Sequence, residues 1–369
     1  VIDSIIKKDH LDIIFDKLKG RFRVIGPKVE DGTIVLSEIE FSDIPTGYRD
    51  RQERGVYRLE EGVTHEVFSF SVGPQSFKTF LSPSVQEVFS FGKLKKGIVT
   101  EEVIRKDKPL AFVGVRACDL AALKLLDKVF LEGPVVDKKY RDRRKNIFVV
   151  AVNCIYPGGN CFCDSMGTGP GVSEGFDIVL TELAEYFLVE AGSDEGEKIF
   201  SDFGSIGADD SCHREKDALI SRCRGMMGKS MKTGDLPDVI YRNMGHPRWQ
   251  EIAEKDLECG NCTMVCPTCF CNSAYDTVPV SAISGNALEF SGVRTRKWDS
   301  CFSHNFARVH GGNFRPSRKA RYRHWMTHKL AYWIDQFGSP GCVGCGRCIT
   351  WCPVGIDITR ELQELRRVR

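Results

Sequence analysis

The 369-residue chain is 42% hydrophobic and 28% charged, with 52 Lys/Arg against 50 Asp/Glu and a formal net charge of +2. Such a composition belongs to a globular protein of two or three domains and excludes a disordered or fibrous chain. Apolar runs such as IFVVAV at 147–152 are far shorter than the roughly 20 residues that span a bilayer, which argues against membrane helices.

Residues 2–18 (IDSIIKKDHLDIIFDKL) offer Ile2, Ile5, Ile6, Ile13, Ile14 and Phe15 to one helical face, with Gly20 as a stop, and predict a helix. VEDGTIVLSEI at 29–39 predicts a hairpin about Asp31-Gly32. Residues 40–108 read as short strands and turns without a chemical motif. PLAFVGV (109–115) reads as a buried strand, DLAALKLLDKVFL (119–131) as a helix and NIFVVAV (146–152) as a second buried strand. Together they make a βαβ unit, with parallel strands and a right-handed crossover. GFDIVLTEL and EYFLVEAGS, within 175–193, predict two further strands. Residues 208–232 predict a helix, and PRWQEIAEKDL (247–257) a short helix leading into the first cysteine run.

The expected architecture is an α/β N-terminal part with a βαβ unit, then an α-helical connector, then a C-terminal dicluster ferredoxin-like domain. A long insertion separates the two cysteine motifs of that last domain. The corresponding boundaries are 1–108 (α+β), 109–205 (α/β, with a cluster site), 206–250 (connector) and 251–369, with the insertion at about 272–340.

Sixteen cysteines in a chain with no export feature point to a reducing, cytoplasmic setting and to metal binding rather than disulfides. Ten of them lie between 259 and 352, four in 118–163, two in 212–223 and none before 118. Cys342, Cys345, Cys348 and Cys352-Pro353 match C-x2-C-x2-C-x3-C-P, in which three thiolates hold one [4Fe–4S] cube and the fourth reaches another. Zinc is the competing metal, but its motifs favour two paired C-x2-C units.

Cys259, Cys262 and Cys266-Pro267 supply the last three positions of the same pattern. Exchange of fourth ligands gives one cube Cys342, Cys345, Cys348 and Cys266, and the other Cys259, Cys262 and Cys352. Asp256 stands where the missing cysteine would fall, and a carboxylate is a harder donor than a thiolate. Three outcomes stay open: Asp256 ligates iron, Cys269, Cys271 or Cys301 folds back in its place, or one iron is labile or absent. The overlapping Cys262-x3-Cys266-x2-Cys269 has the spacing of radical S-adenosylmethionine enzymes, but a full second run exists to pair with the C-P motif. CRGMMGKS at 223–230 imitates a phosphate loop but lacks the first glycine and a preceding strand.

Cys118 and Cys154 follow the two strands of the βαβ unit, so both thiols should lie at one edge of the sheet. Cys161 and Cys163, on a glycine-rich loop, can bend back to the same place and complete a third [4Fe–4S] site. The run Gly167-Thr168-Gly169-Pro170-Gly171 then lets backbone approach that site. Cys212 and Cys223 read as ordinary buried thiols. Cys269, Cys271 and Cys301, with Asp299 beside them, read either as ligands of a further site or as a reduced sulfur-rich core.

The C-terminal 76 residues from 294 hold 15 Lys/Arg against 5 Asp/Glu. HGGNFRPSRKARYRHWMTHK (310–329) concentrates this charge among aromatics, which suggests nucleic-acid binding, a solvated partner-facing helix, or cations that stabilise a reduced, negatively charged cube. The last role is favoured, docking of an acidic partner comes second, and no nucleic-acid partner is expected.

The segments GVRACDLAALKLLD, CFCDSMGTGPG, CGNCTMVCPTCFC, RKWDSC, GGNFRPSRKARYRH and CVGCGRCITWCP occur in order from about 113 to 356. In these the chain resembles the iron–sulfur beta subunits of cytoplasmic sulfhydrogenases, which are NAD(P)-linked nickel–iron hydrogenases, and the related A subunit of anaerobic sulfite reductase. That family usually has cysteine where this chain has Asp256. The resemblance implies an electron-transfer subunit, without flavin or nickel of its own, in a hetero-oligomer. A flavin- and NAD(P)-binding subunit would stand on one side, and small and large hydrogenase subunits or a sulfite-reducing subunit on the other. Two alternatives remain at this stage. One is an iron–sulfur enzyme acting at the incompletely cysteine-ligated cube, the other a metal-dependent nucleic-acid-binding module.

Overall fold

The computed structural model describes residues 3–94, 97–102, 108–200, 206–278 and 290–367. Ile2 and residues 279–289 of the expected insertion lie outside them. Its largest unit among the described residues is an eight-stranded mixed sheet.

The sheet opens with a departure from the sequence reading. Residues Asp3–Lys7 are a strand, β1, and only Asp12–Arg21 form the helix α1, which runs through Gly20. Ser4 and Ile6 alternate inward, and Asp3–Lys7 pairs antiparallel with Tyr186–Glu190. That partner lies about half the chain away, so the helical spacing of the isoleucines is overridden by a non-local ladder. Next come β2 (Arg23–Glu30) and β3 (Thr33–Glu38), joined by a turn in which Asp31 and Gly32 have φ of 48° and 69°. Two positive φ values at a two-residue loop match the right-handed twist of a hairpin. A second hairpin, β4 (Tyr48–Glu53) and β5 (Val56–Glu61), and a third, β6 (Val85–Leu94) and β7 (Gly97–Glu102), follow.

β8 (Leu110–Val115) and β9 (Ile147–Val152) pair in parallel, with the helices α2 (Ala117–Phe130) and α3 (Lys138–Arg144) between them in the chain. Both strands are almost wholly buried because the sheet is covered on both faces. Phe148, Val150 and Val152 join the layer packed on α1, while Val149 and Ala151 face α2 through Leu120, Leu123 and Leu126. In β8 the alternation slips. Val113 joins the first layer and Val115 the second, because a bulge at Gly114 (φ 79°) shifts the register by one residue. The bulge lies just before Arg116 and Cys118. β10 (Ile178–Glu182) and β11 (Tyr186–Ala191) complete the core of the sheet, whose order is β12-β1-β11-β10-β9-β8-β2-β3, β12 being the short Ile206–Gly207.

Beyond the sheet, α4 (Asp194–Phe200) is followed by α5 (Asp210–Gly225), which ends well short of residue 232. α6 (Leu236–Arg242) and α7 (Arg248–Lys255) lead into the first cysteine run. Trp249 and Ile252 of α7 pack with Tyr322, Trp325 and Met326 of the helix Arg318–Thr327 and with Leu362 of the final helix Ile358–Arg366. β13 (Asn272–Thr277) and β14 (Phe290–Trp298) belong to the sequence segment between the motifs, yet β14 pairs with β6 in a four-stranded sheet β13-β14-β6-β7.

Candidate metal centres

Both cysteine motifs fold into the same short path. In the second, Gly346 (φ 75°) caps a four-residue helix, Arg347–Thr350, and in the first Gly260 (φ 74°) caps Asn261–Met264. The likeness extends upstream. Gly344 has φ 65°, and its counterpart Glu258 has φ 55°, a left-handed conformation that costs a side-chain-bearing residue about 1–2 kcal/mol. Asp256 therefore occupies the backbone position that Cys342 has in the second loop.

Its side chain behaves accordingly. Asp256 is 7% exposed; Oδ1 accepts from the Glu258 N–H at 2.9 Å, and Oδ2 is buried with no hydrogen-bond partner. Burial pushes its carboxyl above the usual carboxylate range. An unpartnered buried carboxylate oxygen is costly unless a ligand takes it up. Asp256 lines a small, partly open cavity with Cys259, Cys262, Cys348 and Cys352, walled by Phe302, Tyr322 and Trp325. Cys269, Cys271 and Cys301 do not line it.

The thiols of the two motifs lie close enough to act on one another, Cys262 on Cys348 among them. Cys266 is among the groups that act electrostatically on Cys342, Cys345 and Cys348, whereas Asp256, Cys352 and Cys259 act on Cys262. Burial raises the thiols of Cys262, Cys342, Cys345 and Cys348, Cys342 to about 12. They are poor anions until a metal cation supplies the missing charge. Cys266 differs: a hydrogen bond with Cys269, followed by the nearby ammonium of Lys329, holds its thiol well below the ordinary range. Lys329 is 4% exposed and donates to Cys266 Sγ at 3.1 Å and Thr268 Oγ1 at 3.2 Å. Burial works against its charge, but Cys266, Cys269 and Cys342 keep it protonated.

The sulfur spacing also bears on the kind of metal. Two thiolates on one zinc ion lie within about 4.6 Å of each other, twice the zinc–sulfur bond. Among the described residues no three cysteine sulfurs lie within 4.8 Å of one another; one such trio of other ligands exists, Asp3, Glu190 and His213. A polynuclear cluster, whose thiolates sit on different metal ions, is compatible with that wider spacing.

The N-terminal thiols meet the second motif directly. The loop after β9 donates Phe162 N–H to Gly344 O at 2.8 Å and Thr168 Oγ1 to Val343 O at 2.7 Å, and Cys161 Sγ lies 3.8 Å from Cys345 O. A Cβ on Gly344 would stand 2.7 Å from the Phe162 carbonyl, and one on Gly346 2.5 Å from Asn160 O, so both positions need glycine. Cys163 Sγ would lie 3.1 Å from a Cβ on Gly169, which bears on the backbone approach expected there. Cys154, Cys223 and Cys345 act on Cys163, and Cys163 and Cys345 on Cys118. The four expected thiols, Cys118, Cys154, Cys161 and Cys163, therefore come together with a fifth. Cys223, fully buried near the end of α5, looked like an isolated core thiol because only tertiary packing brings α5 onto this loop. Cys212 is half-buried and lies about three helical turns from Cys223 on α5.

One buried ion pair locks the two parts together. Arg347, between Cys345 and Cys348, donates to both carboxylate oxygens of Asp119 at 2.9 and 3.0 Å, and its Nε reaches Gly73 O. Arg116 donates to Phe68 O and Phe70 O and approaches Cys154 Sγ at 3.9 Å. Arg347 lies inside the second motif and Arg116 just before Cys118, but neither is a cysteine ligand, and the spacing of the motifs gave no signal for these ion-pair and carbonyl contacts.

Cys269, Cys271 and Cys301 form a group of their own. Cys269 is in hydrogen-bonding contact with Cys266, and Cys271 with Cys301. Lys78, 3% exposed, donates to Cys266 O and Cys269 O, both at 2.9 Å, and stacks over Trp298. In the basic segment Arg321 is buried, bonded to Glu258 and to the carbonyls of Arg315 and Pro316, while Arg318 is exposed and Lys319 half-buried. Part of that charge thus turns inward toward the loop of Asp256.

These features define an iron–sulfur protein: residues 255–356 match the 4Fe-4S dicluster domain family. The whole chain is 33% identical over 365 residues to sulfhydrogenase 2 subunit beta of Pyrococcus furiosus, covering 98% of this chain and 97% of that one. It belongs to the family of sulfhydrogenase beta subunits. No solved structure matches it. Among the described residues no helix is long and apolar enough to cross a membrane.

Proposed function

We propose that this protein is an electron-relay subunit holding two [4Fe–4S] cubes in its dicluster domain and a third beside it. Cys342, Cys345, Cys348 and Cys266 hold the central cube. Cys259, Cys262 and Cys352 hold the second, with Asp256 as its fourth ligand. Cys118, Cys154, Cys161 and Cys163 hold the third. When bound, such clusters supply one-electron carriers. The observation that carries the reading is the packing of the loops: Cys348 and Cys352 of one motif line a cavity with Asp256, Cys259 and Cys262 of the other, and the Asn160–Cys163 loop is hydrogen-bonded onto Gly344. The three ligand groups therefore form an unbroken series through the interior.

The surrounding residues tune and seal that series. Lys329 and Lys78 place buried positive charge on the Cys266 side, which favours the more negative, reduced state. Phe302, Tyr322 and Trp325 keep water from the Asp256 side. As the relative is a sulfhydrogenase subunit, the partners proposed are a flavin- and NAD(P)-binding subunit and a hydrogenase or sulfite-reducing subunit. Cys269, Cys271 and Cys301 stay outside the three sets as a sulfur-rich neighbourhood of Cys266. Anaerobic iron and sulfide analysis tests the reading: about twelve irons per chain are expected, and fewer than about six would overturn it.

A further inference from the structure

Near the Asp256 cavity the surface changes character. Leu257 is 59% and Val354 38% exposed, and Cys259 is exposed between the motif loops. Beside them runs an open cleft of about 910 Å³, lined by Arg54, Arg248, Lys255 and Arg360 with a single acid, Glu361. Glu361 is already taken by Arg248. Arg54, Lys255 and Arg360 are exposed and have no ion-pair partner among the described residues. Their placement is held rather than incidental. Arg54 sits in the tight turn between β4 and β5, and the next residue, Gly55, donates its N–H to Ile349 O at 3.1 Å. A Cβ on Gly55 would lie 2.7 Å from Cys352 O, so the turn rests on the cluster loop itself.

We infer that this face is the docking surface for an acidic electron-transfer protein, with Arg54, Lys255 and Arg360 as the charged rim and Leu257 and Val354 as its apolar centre. The inference rests on the relay reading and adds the port through which a partner reaches the series. Charge complementarity selects the occupant: three unpaired cations around a small apolar patch attract an acidic face and repel a basic one. Redox encounters of this kind use small interfaces, below about 1,200 Å² in total, and a patch of two apolar residues fits that scale. Lys255 precedes Asp256, and Pro353 and Val354 follow Cys352, so a protein seated here lies directly over the Asp256 end. The surface differs from the segment 310–329 that the sequence singled out, where Arg321 and Lys329 are buried.

The test is direct binding by the cluster-loaded protein, with a small acidic plant-type ferredoxin as probe and a basic cytochrome c as control. Ferredoxin should bind, weaken steeply as salt rises, and outcompete the cytochrome. The double variant Arg54→Glu/Arg360→Glu should bind ferredoxin at least tenfold more weakly and lose the salt dependence. Its iron content and visible spectrum should match those of the parent. Lys255→Glu alone should show a smaller loss in the same direction. Ferredoxin binding unchanged in both variants overturns the inference, as does displacement by millimolar inorganic phosphate, which would mark a small-anion cleft. Tighter binding of a short oligonucleotide than of ferredoxin would also overturn it. Low iron with charge-dependent binding would sink the relay reading alone; full iron with charge-independent binding would sink the docking surface alone.

Discussion

The loops 256–266 and 342–352 trace one backbone with two sets of side chains. At the third position one carries Gly344 and the other Glu258, both with positive φ. At the first position one carries Cys342 and the other Asp256. The surroundings account for the first difference. Gly344 is pressed by the Phe162–Cys163 backbone, where no side chain fits, whereas Glu258 is half-buried and reaches out to Arg318 and Arg321. One loop is packed into the protein and the other lies near its surface, beside exposed Leu257 and Cys259. The same ligand geometry can therefore sit in a rigid interior and at an accessible edge. Only at the edge did the chain have room for a non-glycine residue in a strained conformation and for a carboxylate in place of a thiol.

The comparison can be broken first at the exchanged cysteines. Cys266→Ser and Cys352→Ser should each lose about four irons per chain, because each deprives the cube of the other loop. Iron analysis with EPR of the retained cube identifies which was lost; full iron in both variants breaks the exchange. Next in size is Asp119→Ala, which strands the Arg347 guanidinium in the interior. Denaturant unfolding should show a loss of about 3–5 kcal/mol, typical of a broken buried pair. Gly346→Ala should cost about 2 kcal/mol or more through handedness and clash with the Asn160 carbonyl together. Gly260→Ala should cost less, since its Cβ would meet only the Ser300 side chain at 3.2 Å. Equal costs in the two would show that the loops are packed alike.

Two finer tests remain. Asp256→Cys should make the edge loop copy the inner one and slow iron loss to a chelator roughly 10- to 100-fold, as changes around a metal commonly do. An unchanged rate would mean that the carboxylate does not hold iron. The smallest effect concerns His324 and His328, which burial lowers from 6.5 to about 4. Unfolding lets both take up protons below their ordinary value. Their contribution is therefore intact above about pH 6.5 and lost as pH falls toward about 4. His328→Phe should flatten that part of the profile of thermal midpoint against pH.

Legibility varied with the range of the interaction. The hairpin at Asp31-Gly32, the buried strands at 110–115 and 147–152 and the helix before the first motif were readable, because turn chemistry and burial on both faces are written in neighbouring residues. Residues 3–7 were not, since their strand state depends on pairing with residues 186–190. Cys223 was missed for the same reason: its neighbours Cys154 and Cys163 are supplied by another element.

By itself the sequence determined the iron–sulfur character of this protein and its family, because covalent spacing dictates which thiols can wrap one cluster. It also marked Asp256 as the odd position. Tertiary structure alone decided what that oddity amounts to: a buried carboxylate with one unpartnered oxygen, lining the same cavity as Cys259, Cys262 and Cys352. It also decided that Arg347 is neutralised by Asp119, that Lys329 lies against Cys266, and that Arg54, Lys255 and Arg360 line one cleft. These are contacts between residues far apart in the chain, and burial and charge act through space rather than along the sequence.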